Sequence, residues 1–200
     1  MFFKRINHYG DLGLILDFGS DSSQQISQEV NAVYTLIQDL DLPLLNIIPS
    51  FNKIVLAFQN SKERNQAQDA IEHNLNKTNL TNSQKDGKLW SIPACYEDSY
   101  ALDRELIQAT HGLSKEEVIS KHTCTSYYAY YIGFMPGFPY LGDIDPSLIT
   151  PRLATPRIQI PARSIGIAKE HTCVYPKVSP GGWNIIGQVP FDIFSLEHPR

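Results

Sequence analysis

The chain has 200 residues, 42% of them apolar, and a formal net charge of −4. That length holds one large domain or two small ones, and mild acidity without a Lys/Arg-rich block argues against a nucleic-acid binder. No run reaches the ~18 apolar residues needed to span a bilayer, and residues 1–19 lack the ~7–15-residue apolar core of a secretory signal, so a cytoplasmic protein is expected. Cys95, Cys124 and Cys173 are far apart and form no C-x-x-C pair, which reads as three thiols in a reducing compartment.

The chain opens with two short apolar segments, "FFKRIN" and "LGLILDF", separated by Tyr9-Gly10-Asp11, a turn signal. The period then changes. Ile26, Val30, Val33, Leu36, Ile37 and Leu40 recur at spacings of three and four, which predicts a helix over 22–41 capped by Ser22 or Ser23. "LLNIIPSF" and "KIVLAFQ" predict two more strands. Residues 61–80 predict a largely polar helix with Ser61 as its cap and Ala67, Ala70, Ile71 and Leu75 as its apolar seam. The order ββαββα indicates a small α+β sandwich over residues 1–88, with "LWSIPACY" able to add a strand.

Residues 89–200 have a different texture. "LDRELIQATHG" and "SKEEVISKHT" predict two short leading helices. His111-Gly112 ends the first, and Ser114 with Glu117 forms a capping box at the start of the second. No further helix is expected after Tyr127. Short segments ("SYYAYYIGF", "IQIPA", "IGIA", "TCVYP", "WNIIGQV", "FDIFSL") are divided by Pro/Gly turns, and ten of the thirteen prolines lie at or beyond Pro136. Many short strands with regular turn signals indicate an all-β barrel or sandwich.

Sequence motifs for a phosphate loop, a nucleophile elbow, a dinucleotide fold or an H-E-x-x-H zinc site are absent, and the six histidines show no metal-ligand spacing. The informative run is Gly133–Gly187. In "GFMPGFPYLG", Pro136-Gly137 suits the centre of a type II turn. This loop carries three aromatics and no charge, so its side chains are expected to be covered by the protein or by a partner. Arg152 and Arg157 each follow a proline. They read either as forks for a carboxylate or phosphate or as pins for loop carbonyls. In "SPGGW", Pro180-Gly181 again suits a type II turn. The amides of Gly181 and Gly182 read as an anion nest beside Trp183, or else as a tight corner with Trp183 as a core plug.

Taken together, "GFMPGFPYLG", "PRLATPR", "IPARS" and "SPGGW" resemble the signature block of the allophanate hydrolase subunit 1 family, which includes KipI. The likeness is continuous over roughly residues 92–194 and colinear before that. The resemblance implies a cyclophilin-like β-barrel behind the α+β domain, and pocket residues at Phe138, Tyr140, Arg152, Arg157, Ser164, Tyr175, Ser179, Gly181, Gly182 and Trp183. It implies one component of an ATP-dependent 5-oxoprolinase, converting 5-oxoproline to glutamate. The ATP site would be shared with two partners of the assembly, a carboxyltransferase-like C component and an A component, and no metal is expected. The alternative is a KipI-like inhibitor that binds a sensor histidine kinase; a cyclophilin-like proline isomerase is the weakest reading. No general base stands out, with His122 and Tyr175 as guesses. The chain departs from the family pattern where four glycines are replaced by Arg163, Lys169, Glu170 and Cys173, and a glutamine by His171. Glycines permit close approach or special backbone angles, so these changes are expected to narrow or recharge the pocket.

Overall fold

The computed structural model describes residue 3 and residues 5–21, 23–77 and 87–197, and its contacts divide the chain into Met1–Lys88 and Leu89–Arg200.

In the first unit, alternation decides which side of the sheet is buried. β1 (Arg5–Tyr9), β2 (Gly13–Asp17), β3 (Leu44–Pro49) and β4 (Lys53–Phe58) form one antiparallel sheet in the order β1-β2-β4-β3. Successive side chains on a strand point to opposite faces, so Leu14 and Leu16 of β2 and Ile54, Leu56 and Phe58 of β4 share one face. They pack there against Ile26, Val30, Val33 and Ile37 of α1 (Gln24–Asp39) and Ala67, Ile71 and Leu75 of α2 (Ser61–Lys77). Ser23 caps α1, its Oγ accepting from Ile26 N at 3.2 Å; the other candidate, Ser22, lies outside the described residues. For α2 the expected cap shifts by one residue. Asn60 Oδ1 accepts from Glu63 N at 2.9 Å, and Ser61 is already helical. The expected end of this helix at Thr78–Leu80 lies outside the described residues.

The second unit starts with α3 (Arg104–His111) and α4 (Lys115–Thr123). Gly112 ends α3 at φ 66°, a left-handed angle that suits glycine. The Ser114–Glu117 capping box at the start of α4 is present in full. The strands are β5 (Tyr128–Ile132), β6 (Pro139–Gly142), β7 (Arg157–Ile160), β8 (Ser164–Ala168), β9 (His171–Val174), β10 (Ser179–Gly181) and β11 (Asn184–Gln188). They build a five-stranded antiparallel sheet in the order β11-β8-β9-β6-β5 and a two-stranded sheet, β10-β7. β11 and β5 remain edges, so among the described residues no sheet closes into the expected barrel. The outer edge of β11 receives one isolated bridge, Cys95 to Gln188, rather than a strand.

Other expectations change for local reasons. "LWSIPACY" forms no strand, and Pro93 removes a backbone donor two residues before the Cys95 bridge. "FDIFSL" is also irregular, and its Phe194 ring packs against Gly137 instead. Residues Pro146–Leu148 form a 3-10 turn capped by Asp145, where no helix was expected. "PYLG" is a strand rather than loop, because the turn before it reverses the chain. Phe138 N donates to Met135 O at 3.1 Å across Pro136-Gly137, and Gly137 has the φ of 77° that the turn requires. "SPG" is likewise a strand, β10. Gly181 is not left-handed, so the expected type II turn at Pro180-Gly181 does not form.

The β11-β8-β9 part of the five-stranded sheet is buried on both faces, and all five residues of β8 are buried. Ile165, Ile167, Val174 and Ile186 face one cluster with Ile107 of α3 and Val118 of α4. Ala168, Cys173, Tyr175 and Ile185 face a second cluster with Phe138, Ile160 and Trp183.

Two of the glycine replacements noted in the sequence have a backbone cost. Arg163 and Lys169 lie at φ 69° and 51°, where a side chain is strained and glycine is not. Arg163→Gly and Lys169→Gly are each expected to raise stability by about 1 kcal/mol in urea unfolding; a loss of stability in both would contradict the strain.

Candidate functional site

The second buried cluster gathers four of the ten residues singled out from the sequence, Phe138, Tyr140, Tyr175 and Trp183. Phe138 lies at its centre and is 1% exposed. Its ring meets Tyr140, Tyr175 and Trp183 edge-on, with centroids 5.0, 5.1 and 5.9 Å away. Tyr140 in turn stacks on Tyr131 at 4.4 Å and meets Trp183 at 5.8 Å. The β5–β6 hairpin brings Tyr131 and Tyr140 opposite each other, and the Met135–Phe138 turn carries Phe138 inward. The uncharged loop is therefore partly covered by its own unit, though Phe134 remains 60% exposed at φ 66°.

Arg152 stands over this cluster, its guanidinium carbon 5.8 Å from the centroid of the Trp183 ring. The backbone around it is fixed on both sides. Lys169 N donates to Thr150 O at 2.6 Å, Asn184 Nδ2 donates to Pro151 O at 2.9 Å, and Leu153 N donates to Gly182 O at 2.7 Å. Arg152 is exposed, and no described carboxylate pairs with it. Burial pushes the Tyr131 and Tyr175 hydroxyls up, and the Arg152 charge partly opposes that at both. A cation on a fixed loop above an aromatic face can hold one anionic group of a small ligand.

Arg157 has a different occupation. Its two terminal nitrogens donate to Asp103 Oδ2 and Oδ1 at 2.8 and 2.6 Å, and Asp103 Oδ2 also accepts from Ile185 N at 2.7 Å. Asp103 N donates to Ile185 O at 2.8 Å, so Asp103 meets β11 as a neighbouring strand residue would. Arg157 thus pins the segment before α3 to the sheet. It is committed to a buried carboxylate, and the sequence, where these residues are far apart, gives no sign of the pair.

Ser164 sits on the aromatic side of β8 by strand alternation, and its carbonyl accepts from Tyr175 N at 2.9 Å. Gly181 lies opposite Arg157 across β10-β7, and a β-carbon there would collide with Tyr175 Oη. Neither Gly181 nor Gly182 is left-handed, so their amides do not converge as the expected nest. Ser179 Oγ and Asn184 Oδ1 are buried without a hydrogen-bond partner among the described residues. Asn184 was not singled out from the sequence, and it both holds Pro151 and keeps an unused acceptor.

The two guessed bases are enclosed. Tyr175 is 1% exposed and burial pushes its hydroxyl well up. His122 Nδ1 and Nε2 lie 2.7 Å from Tyr96 Oη and 2.9 Å from Thr172 Oγ1. Thr172 Oγ1 donates to Gly166 O at 3.1 Å, so it accepts from Nε2–H, and Nδ1 accepts from Tyr96. Both nitrogens are used, Nε2 in tying α4 to β9 and Nδ1 in tying it to the segment after Cys95. Among the described residues no group of three His, Cys, Asp or Glu could hold a metal, and no helix is long and apolar enough to cross a membrane.

Residues 4–200 match the family described as carboxyltransferase domain, subdomain C and D. A protein of Bacillus subtilis (strain 168), named as the B subunit of 5-oxoprolinase, is 30% identical, covering 95% of this chain and 84% of that protein. Its namesake from Escherichia coli O157:H7 is 35% identical over 81% of this chain and 75% of its own length. Among solved structures, that of TTHA0988 superposes with a TM-score of 0.78 at 27% identity, covering 93% of this chain and 36% of that longer one.

Proposed function

This chain belongs to the carboxyltransferase-domain family of subdomains C and D, and from that premise we propose that it is the B subunit of an ATP-dependent 5-oxoprolinase. The observation that carries this reading is the near full-length similarity to the B subunits of 5-oxoprolinases. In the reading, water opens the cyclic amide of 5-oxoproline to give glutamate, in an assembly with a carboxyltransferase-like C component and an A component. The cyclophilin-like description of the second unit is part of the same proposal, with the five- and two-stranded sheets as pieces of one distorted barrel.

The aromatic face suits such a substrate. 5-Oxoproline is a small ring with one carboxylate. Its ring would lie against Trp183 while the Arg152 guanidinium meets the carboxylate, and Arg157, being occupied by Asp103, would not compete for it. ATP supplies the activation of the amide oxygen that makes this resistant ring open. The nucleotide site is assigned to the assembly, shared between this chain and its partner proteins. The kinase-inhibitor alternative is not favoured, because the matching relatives carry the enzyme's name.

The test is co-purification with relatives of the A and C components, followed by 5-oxoproline-dependent phosphate release. Arg152→Ala is expected to lower turnover at subsaturating substrate by about 10²-fold while the complex stays assembled. An intact complex without turnover would end the proposal.

A further inference from the structure

Three consecutive residues, Gly182, Trp183 and Asn184, hold the loop that carries Arg152. Gly182 O accepts from Leu153 N at 2.7 Å. A β-carbon on Gly182 would lie 3.8 Å from Arg152 Cβ, so the glycine backbone adjoins the arginine stem. The Trp183 ring lies under the guanidinium, its centroid 5.8 Å from Arg152 Cζ. Asn184 Nδ2 donates to Pro151 O at 2.9 Å and to Ile167 O at 3.3 Å.

The Pro151 carbonyl shares one planar peptide unit with the nitrogen and Cα of Arg152. A bond to that oxygen therefore fixes the plane from which the Arg152 side chain starts. The flanking bonds, Lys169 N to Thr150 O and Leu153 N to Gly182 O, run between backbone groups and survive a change of side chain. The bond at Pro151 depends on the side chain of Asn184.

The sheet itself does not require an asparagine there. Asn184 is 1% exposed, and its neighbours on β11, Ile185 and Ile186, are apolar. Both acceptors of Nδ2 are carbonyls, so reversing the amide would set oxygen against oxygen. Its Oδ1 is left buried without a hydrogen-bond partner among the described residues. A half-satisfied buried amide destabilises a sheet relative to an apolar residue of its size. What the side chain does achieve is to tie the Pro151 carbonyl to β8 and β11.

We infer that Asn184 is a positioning residue for Arg152: through the Pro151 carbonyl it sets the arginine over the Trp183 ring, where the substrate carboxylate is received. This deepens the proposed function and rests on it for the identity of the anion. Asn184 acts on the carboxylate only through Arg152, so its effect vanishes once Arg152 is removed.

The experiment uses the assembled complex with 5-oxoproline, in wild type, Asn184→Leu, Asn184→Ala, Arg152→Ala and the two double variants. Leucine fills the space of the asparagine without its donor, alanine removes both, and urea midpoints report folding. Asn184→Leu is expected to lower kcat/KM about tenfold, carried by KM with kcat within about twofold, as when a binding contact is weakened. On the Arg152→Ala background the same change is expected to cost less than about twofold. Hydrogen exchange of the Leu153 amide is expected to slow in wild type at saturating 5-oxoproline, and to quicken in Asn184→Leu without it. An unchanged KM in the folded Asn184 variants, or an equal loss on both backgrounds, would overturn the inference and leave the substrate reading standing. Leu153 exchange indifferent to saturating acid would overturn it even where the variants do not fold. A wild-type KM in Arg152→Ala, or an assembled complex without turnover, would overturn the two together.

Discussion

Replacing Asp103 by alanine is expected to cost about 3 kcal/mol of stability. The carboxylate is buried and accepts from Arg157 twice and from the Ile185 amide once. Its loss strands a buried N–H in β11, beside Trp183, and leaves a guanidinium without its partner. The Arg157 side chain is 29% exposed, so water partly replaces the lost contact, and the expected cost sits at the lower end of the range for broken buried pairs. Urea unfolding of Asp103→Ala, Arg157→Ala and the double variant measures it. The two single costs are expected to be strongly non-additive, because both variants break one pair. A loss below about 1 kcal/mol in Asp103→Ala would show that the pin is not a structural keystone.

The second large effect is a dependence of stability on pH. Burial pushes His122 down to about 4 from an ordinary 6.5, while the unfolded chain titrates near 6.5. Between those values the unfolded state binds the extra proton, so the contribution is complete above pH 6.5 and is lost as pH falls toward 4. The slope approaches 1.4 kcal/mol per pH unit and the total is about 3 kcal/mol. His171, also held down by burial, adds a contribution of the same sign. The carboxylates held low by their partners, Asp17, Asp98, Glu117 and Asp145, add contributions of the same sign at the acid end, lost as pH falls through their ordinary values of 3.8 and 4.5. Urea midpoints of wild type and His122→Gln between pH 4 and 8 separate the two histidines. In parallel, NMR of wild type at pH 6 is expected to show the neutral His122 imidazole protonated at Nε2. A charged ring at that pH, or equal pH slopes in the two proteins, would contradict the relay from Tyr96 to Gly166.

Signals confined to a few neighbouring residues were legible in the chain. The spacing of Ile26, Val30, Val33 and Ile37 marks the buried face of α1, the Ser114–Glu117 box marks the start of α4, and Pro136-Gly137 marks its turn. The same local chemistry misled at Pro180-Gly181, where pairing with β7 outweighs turn preference and holds the segment extended. The site was half legible. Phe138, Tyr140, Tyr175 and Trp183 do meet, since rigid Pro/Gly frames and aromatic side chains announce a covered cluster. What Arg157 does was hidden, because its partner lies 54 residues away and an arginine after a proline looks alike whether it waits for a ligand or is already satisfied. His122 was hidden for the same reason, its partners Tyr96 and Thr172 being 26 and 50 residues distant.

The Asp103 carboxylate also bears on the order in which the chain can take shape during synthesis. Its contacts reach 54 residues forward to Arg157 and 82 forward to Ile185. A ribosome that has just released α3 and α4 has made neither of them, nor the Ile144, Leu148, Ile165, Ile167 and Val174 side chains that pack on Ile107 and Val118, so the cover of this helix pair is completed only when β11 emerges. In that interval the nascent second unit depends on whatever shields those side chains.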